Sequence, residues 1–274
     1  MDRHRHIASL FGAPRALLGV VHLDALPGTP AHRPPLEAIM ERAVEEARVY
    51  AAGGYHGIVL ENIGDRPFLK RAVGPEVVAA MAAIGREVKR AVSVPLGVQV
   101  LAGANREALA VALACGARFV RAEGFVFGHV ADEGLMESDA GELLRYRHAI
   151  GADEVRVFAD IKKKHSAHAI TADVDLAATA HAAEFFLADG VVVTGTATGE
   201  PTDPAHVREV SRAVGIPALV GSGVTAENVG LYPEADAIIV GSSLKQGGVW
   251  SGPLDPARVQ ALARAFAALP RDRP

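Results

Sequence analysis

A (β/α)8 barrel, the TIM-barrel class of α/β fold, is the expectation from three features of this 274-residue chain. Short β-branched runs alternate with helical patterns from end to end. There are eight such units, the number a barrel needs. The last two runs, Pro217-Ala-Leu-Val-Gly-Ser-Gly-Val224 and Ala237-Ile-Ile-Val-Gly-Ser-Ser243, each stop abruptly in glycine and serine. In many barrels the loops after strands 7 and 8 hold a phosphate, because glycine lets an anion approach backbone N–H groups. Gly221, Ser222, Gly223, Gly241, Ser242 and Ser243 are therefore the expected phosphate-binding positions.

Strands are expected over 17–23, 57–62, 96–101, 119–123, 155–161, 190–194, 218–221 and 237–240. Helices are expected over 36–52, 75–91, 105–115, 139–150, 172–188 and 203–213, then a short one after Thr225 and a last one over 255–268. Asp203-Pro204 and Asp255-Pro256 each set a capping carboxylate before a proline suited to the first helical position. Gly53-Gly54, Gly116 and Gly190 mark helix ends. No linker, low-complexity run or charge block divides the chain. It reads as one domain, 1–274, with a short N-terminal extension over 1–15.

Composition narrows the function classes. Half the residues are apolar, and the formal net charge of −4 argues against a nucleic-acid partner. No apolar run approaches the roughly 18–20 residues needed to cross a bilayer. Arg3 and Arg5 before an apolar stretch faintly imitate a signal peptide, but His22 and Asp24 cut that stretch short. One cysteine, Cys115, allows no disulfide within the chain, and a cytoplasmic protein is expected.

Loop lengths locate the site. Helix-to-strand connections are short, whereas strand-to-helix loops after strands 1, 2, 4, 5 and 6 are long and polar. A barrel builds its active site from the latter. At the end of strand 1, alternation sets His22 and Asp24 on one side. Strand 2 ends in Glu61 and Asn62; a carboxylate there needs a partner or a function, and Arg121 or a lysine is the rival structural explanation. Strand 4 carries Arg121 and Glu123, both inward by alternation, and the 125–129 loop is expected to form an apolar lid tipped by His129.

Strand 5 is densest in chemistry. Asp160 and Lys162 share a face in the run Asp160-Ile-Lys-Lys-Lys-His165, which favours Lys162 or Lys164 over Lys163 as a functional lysine. His165 and His168 stand three apart, which admits a divalent metal, although no third ligand is evident. No other cofactor is indicated. After strand 6, Thr194, Thr196 and Thr198 make a hydroxyl-lined turn suited to phosphate or sugar oxygens, and Glu200 can serve as a gate or an acid/base group.

These stretches together resemble the BtpA/SgcQ family of ribulose-phosphate-binding barrels. The matching elements include Gly19-Val-Val-His-Leu-Asp-Ala-Leu-Pro-Gly28, Leu60-Glu-Asn-Ile-Gly-Asp-Arg-Pro-Phe68 and Gly97-Val-Gln-Val-Leu101. Asp132-Glu-Gly134, Ala159-Asp160, Lys164-His165 and the 193–202 threonine run follow in order, then Val220-Gly-Ser-Gly-Val-Thr225 and Val240-Gly-Ser-Ser-Leu-Lys245. Asp24-Ala25, in place of a family proline, and the 122–127 segment set this chain in a subgroup. The resemblance implies the barrel fold. For cyanobacterial members it implies a role in photosystem I biogenesis, and another branch is associated with sugar-uptake operons.

The leading expectation is an enzyme that acts on a small phosphorylated metabolite, a sugar or nucleoside phosphate, by isomerase, epimerase or lyase chemistry. His22, Glu61, Asp160, Lys162 and His165 form the catalytic set, with His22 or Glu61 as base and Lys162 as enolate stabiliser. Asp24, Asn62, Arg121, Glu123, Lys164, Thr194, Thr196, Thr198 and Glu200 form the substrate-binding set. Lys245 is a further candidate for the phosphate. Two alternatives stand: a non-catalytic assembly factor, and a metal-dependent hydrolase using His22, Asp160, His165 and Glu61. Barrels of this size often pair, so a homo-oligomer is compatible with the sequence.

Overall fold

The computed structural model describes residues 3–195 and 200–270. Eight parallel strands close into a barrel: Ala16–His22, Gly57–Glu61, Leu96–Gln99, Phe119–Ala122, Arg156–Ile161, Gly190–Val193, Ala218–Val220 and Ala237–Val240. They are numbered one to eight below, and the first strand pairs with both the second and the eighth.

Helices Leu36–Ala52, Pro75–Ala91, Asn105–Cys115, Ala140–Ala149, Leu176–Phe185, Pro204–Ala213 and Pro256–Ala267 surround the strands. The Asp203 and Asp255 side chains cap the last two by accepting from Ala205 and from Ala257 and Arg258. After the seventh strand a single 3-10 turn, Val229–Leu231, replaces the expected helix. Cys115 is buried.

Period-two alternation divides the apolar residues into two cores. Leu17, Val21, Ile58, Leu60, Val98 and Val120 belong to the outer core against the helices. Leu18, Val20, Val59, Phe119, Phe158, Val192, Leu219 and Ile239 fill the barrel itself. Gly97 has no side chain for a reason: a Cβ there would lie 2.1 Å from the Phe119 ring. Two residues further along each strand the inward position turns polar or bare. It is His22, Glu61, Gln99, Arg121, Asp160, Thr194, Gly221 and Gly241 from the first strand to the eighth. The fold thus carries an apolar plug below and a polar mouth above, at the end that barrels use for chemistry.

Two features exceed the sequence reading. The stretch taken as an extension contains a helix, Arg3–Phe11, whose Ile7 and Phe11 enter the inner core from the end opposite the mouth. Phe11 meets Phe119 edge-on at 5.5 Å between centroids. The loops after the fourth and fifth strands form a small antiparallel sheet of His129–Ala131, Gly134–Met136 and Ser166–Ala167. The expected apolar lid is therefore not a loop tipped by histidine. Phe125 is fully buried in the outer core, and His129 is buried within a strand.

Lys245 is also misplaced by the sequence reading. Its ammonium is fully buried and lies 2.6 Å from each oxygen of Glu46 on helix Leu36–Ala52. This pair ties the chain after the eighth strand to the helix after the first. Lys245 is thereby committed to Glu46 and does not reach the glycine loops as an anion ligand. Removing one member of a buried pair leaves the other charge uncompensated, at a typical cost of about 3–5 kcal/mol. Lys245→Met is expected to lower stability by that order in chemical denaturation, and Glu46→Leu added to it should restore most of the loss. Equal stability of the parent and the Lys245→Met chain would show that the pair carries no structural burden.

Candidate functional site

The polar mouth contains two adjoining pockets. A small one of about 50 Å³ is walled by Gly221, Ser222, Gly223, Gly241, Ser242 and Ser243, all six expected phosphate-binding positions, together with His22. A larger one of about 310 Å³ is lined by Gln99, Glu123, Asp160, Lys163, His165 and Trp250, among others. Glu61, Ile63, Arg121 and Lys164 line both, so the pockets form one cavity with a narrow glycine-walled end.

The glycines there answer to protein neighbours. Gly223 has φ +64, and a Cβ on it would lie 2.3 Å from the Glu200 carbonyl carbon. A Cβ on Gly241 would lie 2.7 Å from the His22 ring. The Gly221 N–H donates to the Val193 carbonyl at 2.9 Å, so this group is used by the barrel and not offered to an anion. The Ser243 hydroxyl donates to the Val224 carbonyl at 2.6 Å.

Arg121 is the electrostatic centre. Its Nε and Nη2 donate to the two oxygens of Asp160 at 2.8 and 3.0 Å, a two-point pair between neighbouring strands. Burial opposes the guanidinium charge, but Asp160, and after it Glu61 and Glu123, outweigh that effect and hold the pKa above its ordinary value. With both oxygens engaged, Asp160 is the counter-ion of Arg121. Glu61 is buried without such a partner. Burial pushes its carboxyl above the ordinary value, Arg121 and Lys164 pull it partly back, and Asp160 adds to the rise. Lys164 is shifted the other way: burial and then Arg121 lower its pKa, against the pull of Glu61.

His22 is held neutral. Burial first, then Lys245, drives its pKa down to about 3. Its Nδ1 lies 3.2 Å from the Trp250 carbonyl. A neutral ring can hold that bond only with the proton on Nδ1, which leaves Nε2 as an acceptor.

Several expected site residues are placed elsewhere. Lys162 has φ +45, which breaks the strand alternation just past Ile161. Its Nζ donates to the Thr171 carbonyl at 2.8 Å, and the residue lines neither central pocket. The cavity-facing lysines are Lys164, an expected candidate, and Lys163, which the face argument had set aside. Lys163 is buried with its Nζ 3.6 Å from Glu123. Asp24 pairs with Arg42 at 2.7 Å, away from both pockets. Asn62 is fully buried in loop packing: it donates to Asp65 and accepts from the Leu101 N–H. Asp65 in turn accepts from Leu26 and Thr29, which ties the first loop to the second.

Thr194 accepts from the Lys164 N–H at 3.1 Å and so positions that lysine. Glu200 is exposed and lines neither central pocket. Thr196 and Thr198 lie outside the described residues. His165 is exposed at the rim of the larger pocket, while His168 bonds the Lys163 carbonyl at 3.0 Å. Among the described residues no three His, Cys, Asp or Glu side chains are grouped to hold a metal ion. The donor set His22, Glu61, Asp160 and His165 thus does not assemble as a metal centre.

The sequence reading passed over Gln99, Arg66, Phe68 and Trp250, all on the larger pocket. Gln99 had a signal: it is the polar residue in an otherwise apolar strand, in register with Glu61. Glu123 is fixed by Asn105, which accepts from its N–H at 3.2 Å and donates to its carbonyl at 2.8 Å. Arg71 adds bonds to the carbonyls of Glu123 and Gly124 and pairs with Asp139 at 2.7 Å.

A closed eight-stranded parallel barrel with a polar cavity at the carboxyl ends of its strands defines the class: a TIM barrel. The chain belongs to the BtpA family, whose profile matches residues 13–268. It is 39% identical over 259 residues to the photosystem I biogenesis protein BtpA of Synechocystis, covering 94% of this chain and 90% of that one. It is 41% identical over 271 residues to a Caenorhabditis elegans protein described as mitochondrial, covering 97% and 98%. The fold is shared with thiamine phosphate pyrophosphorylase from Pyrococcus furiosus, at TM-score 0.59 and 14% identity over 92% of this chain and 95% of that one. Phosphoribosyl anthranilate isomerase from Thermus thermophilus gives 0.56 and 14% over 92% and 98%. No helix among the described residues is long and apolar enough to cross a membrane.

Two outcomes test the electrostatics. In the unfolded chain Glu61 titrates near its ordinary 4.5, whereas the folded barrel retains its proton to higher pH. Between those two pH values the folded state binds more protons, so stability falls as pH rises. Glu61→Gln is expected to melt higher than the parent at neutral pH, with the gain vanishing below pH 4.5. A gain that is constant with pH would show that burial does not penalise the Glu61 charge. Separately, the His22 Cε1 proton resonance should stay flat between about pH 5 and 8, where an ordinary histidine titrates; a midpoint near 6.5 would overturn the neutral assignment.

Proposed function

We propose that this protein is an enzyme acting on a small phosphorylated metabolite by acid/base chemistry of the isomerase, epimerase or lyase type. One observation carries the reading: the glycine-walled pocket after the seventh and eighth strands opens directly onto Glu61 and Lys164, whose pKa values burial moves in opposite directions. A carboxyl raised and an ammonium lowered are both brought toward the pH at which proton transfer is efficient.

In this reading the phosphate sits against Ser222, Gly223 and Ser242, with Lys164 and Arg121 balancing its charge. Glu61 takes a proton from the carbon beside a substrate carbonyl, and Lys164 offsets the charge that develops on the oxygen. Return of the proton from the same carboxyl to a neighbouring atom, or to the other face, gives the isomer. His22 Nε2 accepts from a substrate or phosphate hydroxyl. Lys164 replaces Lys162, and Asp160 serves as a positioning residue for Arg121. A cytoplasmic location belongs to this reading, supported by the buried lone cysteine.

A second reading follows from the Synechocystis relative, whose name describes a biogenesis protein. An assembly role needs a protein-binding face, and the exposed Phe185 and Leu187 at the end of helix Leu176–Phe185 offer apolar surface for one.

The two separate in a thermal-shift panel of sugar phosphates and nucleotides run beside their dephosphorylated forms. Ligand at about a hundred times its dissociation constant adds about 2.7 kcal/mol of stability. Phosphorylated compounds should stabilise the parent and fail to stabilise Ser242→Asp, which sets a carboxylate in the pocket without the backbone strain a Gly223 substitution would bring. Glu61→Gln should keep binding and lose about 10²–10⁴-fold in turnover. Stabilisation that ignores the phosphate, or none at all, would remove the enzyme reading and favour the assembly factor.

A further inference from the structure

The larger pocket has a composition that a phosphate and a short carbon chain would leave unused. Its wall includes Ile63, Phe68, Leu101, Ala102 and Trp250, an apolar and partly aromatic surface at the mouth of a barrel otherwise lined by charge. The guanidinium of Arg66 lies 4.7 Å from the centroid of the Trp250 ring, which holds the indole at the pocket edge. At the end of the third strand and just past the fourth, across the barrel from the glycine loops, stand Gln99 and Glu123.

Both are more than nine-tenths buried, and each has one oxygen with no hydrogen-bond partner, Gln99 Oε1 and Glu123 Oε2. Gln99 spends one amide N–H on Glu123 Oε1, at 3.4 Å, which turns the pair toward each other and leaves the two other oxygens over. Lys163 stands 3.6 Å from Glu123 Oε2, too far for a hydrogen bond. Buried polar atoms without partners are costly, and in a ligand pocket they mark where a ligand's own polar edge completes the pairing. Burial also pushes the Glu123 carboxyl above its ordinary value, so that it can carry a proton and donate as well as accept.

Flat apolar walls with two buried polar oxygens at one edge suit a planar ring whose rim carries N–H and C=O groups. We propose that the metabolite is of the nucleotide class: a phosphate ester whose far end is a planar heterocycle, held between the Phe68 and Trp250 side and read at its edge by Gln99 and Glu123. This rests on the phosphate reading above. The segment joining ring to phosphate then lies over Glu61, Arg121 and Lys164, the charged residues common to both pockets. A bare sugar phosphate would fill the narrow end and leave the apolar wall wet and the two oxygens unpaired.

Isothermal titration of the full chain with inorganic phosphate, ribose 5-phosphate and the common nucleoside 5′-monophosphates tests this. At least one nucleotide should bind ten-fold or more tightly than ribose 5-phosphate. Gln99→Leu and, independently, Phe68→Ala should each weaken that nucleotide by about ten-fold while leaving ribose 5-phosphate within two-fold. Phe68 is only half-buried, so its variant provides the test if the Gln99 substitution disturbs folding. Ribose 5-phosphate binding as well as every nucleotide, or nucleotide affinity indifferent to both variants, would overturn the ring site and leave the phosphate reading in place. No binding by any compound, inorganic phosphate included, would overturn both.

Discussion

Closing eight strands into a barrel allows each strand one inward side chain at each level, and the mouth of this barrel depends on how that rule is met. Apolar residues satisfy it up to Val20, Val59, Phe119 and Phe158, and the next inward residues are His22, Glu61, Arg121 and Asp160. Charges this deep need partners, and the only geometry that uses both oxygens of Asp160 is the two-point contact with Arg121. That contact engages both oxygens of Asp160, fixes a cation at the junction of the two pockets, and leaves Glu61 near the cation but unbonded to it. Burial raises the Glu61 carboxyl and lowers the Lys164 ammonium, and Arg121 pulls Glu61 partly back while adding to the shift of Lys164.

The eighth-strand side of the mouth meets the rule differently. The seventh and eighth strands present Gly221 and Gly241, and other strands fill the space above them: the His22 ring lies against Gly241, and a Cβ on Gly221 would lie 2.6 Å from Val192 Cγ1 and 3.3 Å from Arg121 Nη2. What glycine supplies here is room for side chains of the first and fourth strands to lean across the barrel. The narrow pocket is the remainder of that room. A narrow pocket and a packed interior are therefore one consequence of the same two residues.

Much of this was legible in the chain. Helices Leu36–Ala52, Pro75–Ala91 and Asn105–Cys115 begin and end where the sequence places them, because their punctuation is local: prolines near the start, glycine after Cys115. The strands, and the gathering of the six glycine and serine positions around one pocket, were legible for the same reason, since alternation and glycine act within a few residues. Lys162 was misread because its own positive φ ends the strand alternation, so that Lys163 and Lys164 reach the cavity and Lys162 does not, and no lysine in Lys162-Lys163-Lys164 announces it. Lys245 was misread because its partner, Glu46, is distant in sequence. The helix Arg3–Phe11 hides its apolar face in only two residues, and the strands of the small sheet are too short for alternation to show.

The mouth that results is lopsided. The first five strands contribute His22, Glu61, Gln99, Arg121 and Asp160, while the last two contribute no side chain at all. The glycine-walled pocket thus sits beside His22 and Glu61, and Gln99 and Glu123 sit across the barrel from it. A ligand engaging both must span the barrel, with its reactive middle over Glu61 and Lys164 and its ends against surfaces of different chemistry. A symmetrical mouth would bind such a ligand either way round. On the proposed reading the two ends differ in their walls, bare glycine and serine at one and Gln99, Glu123 and an aromatic edge at the other, so a ligand with one anionic and one planar end has a preferred direction before any group reacts.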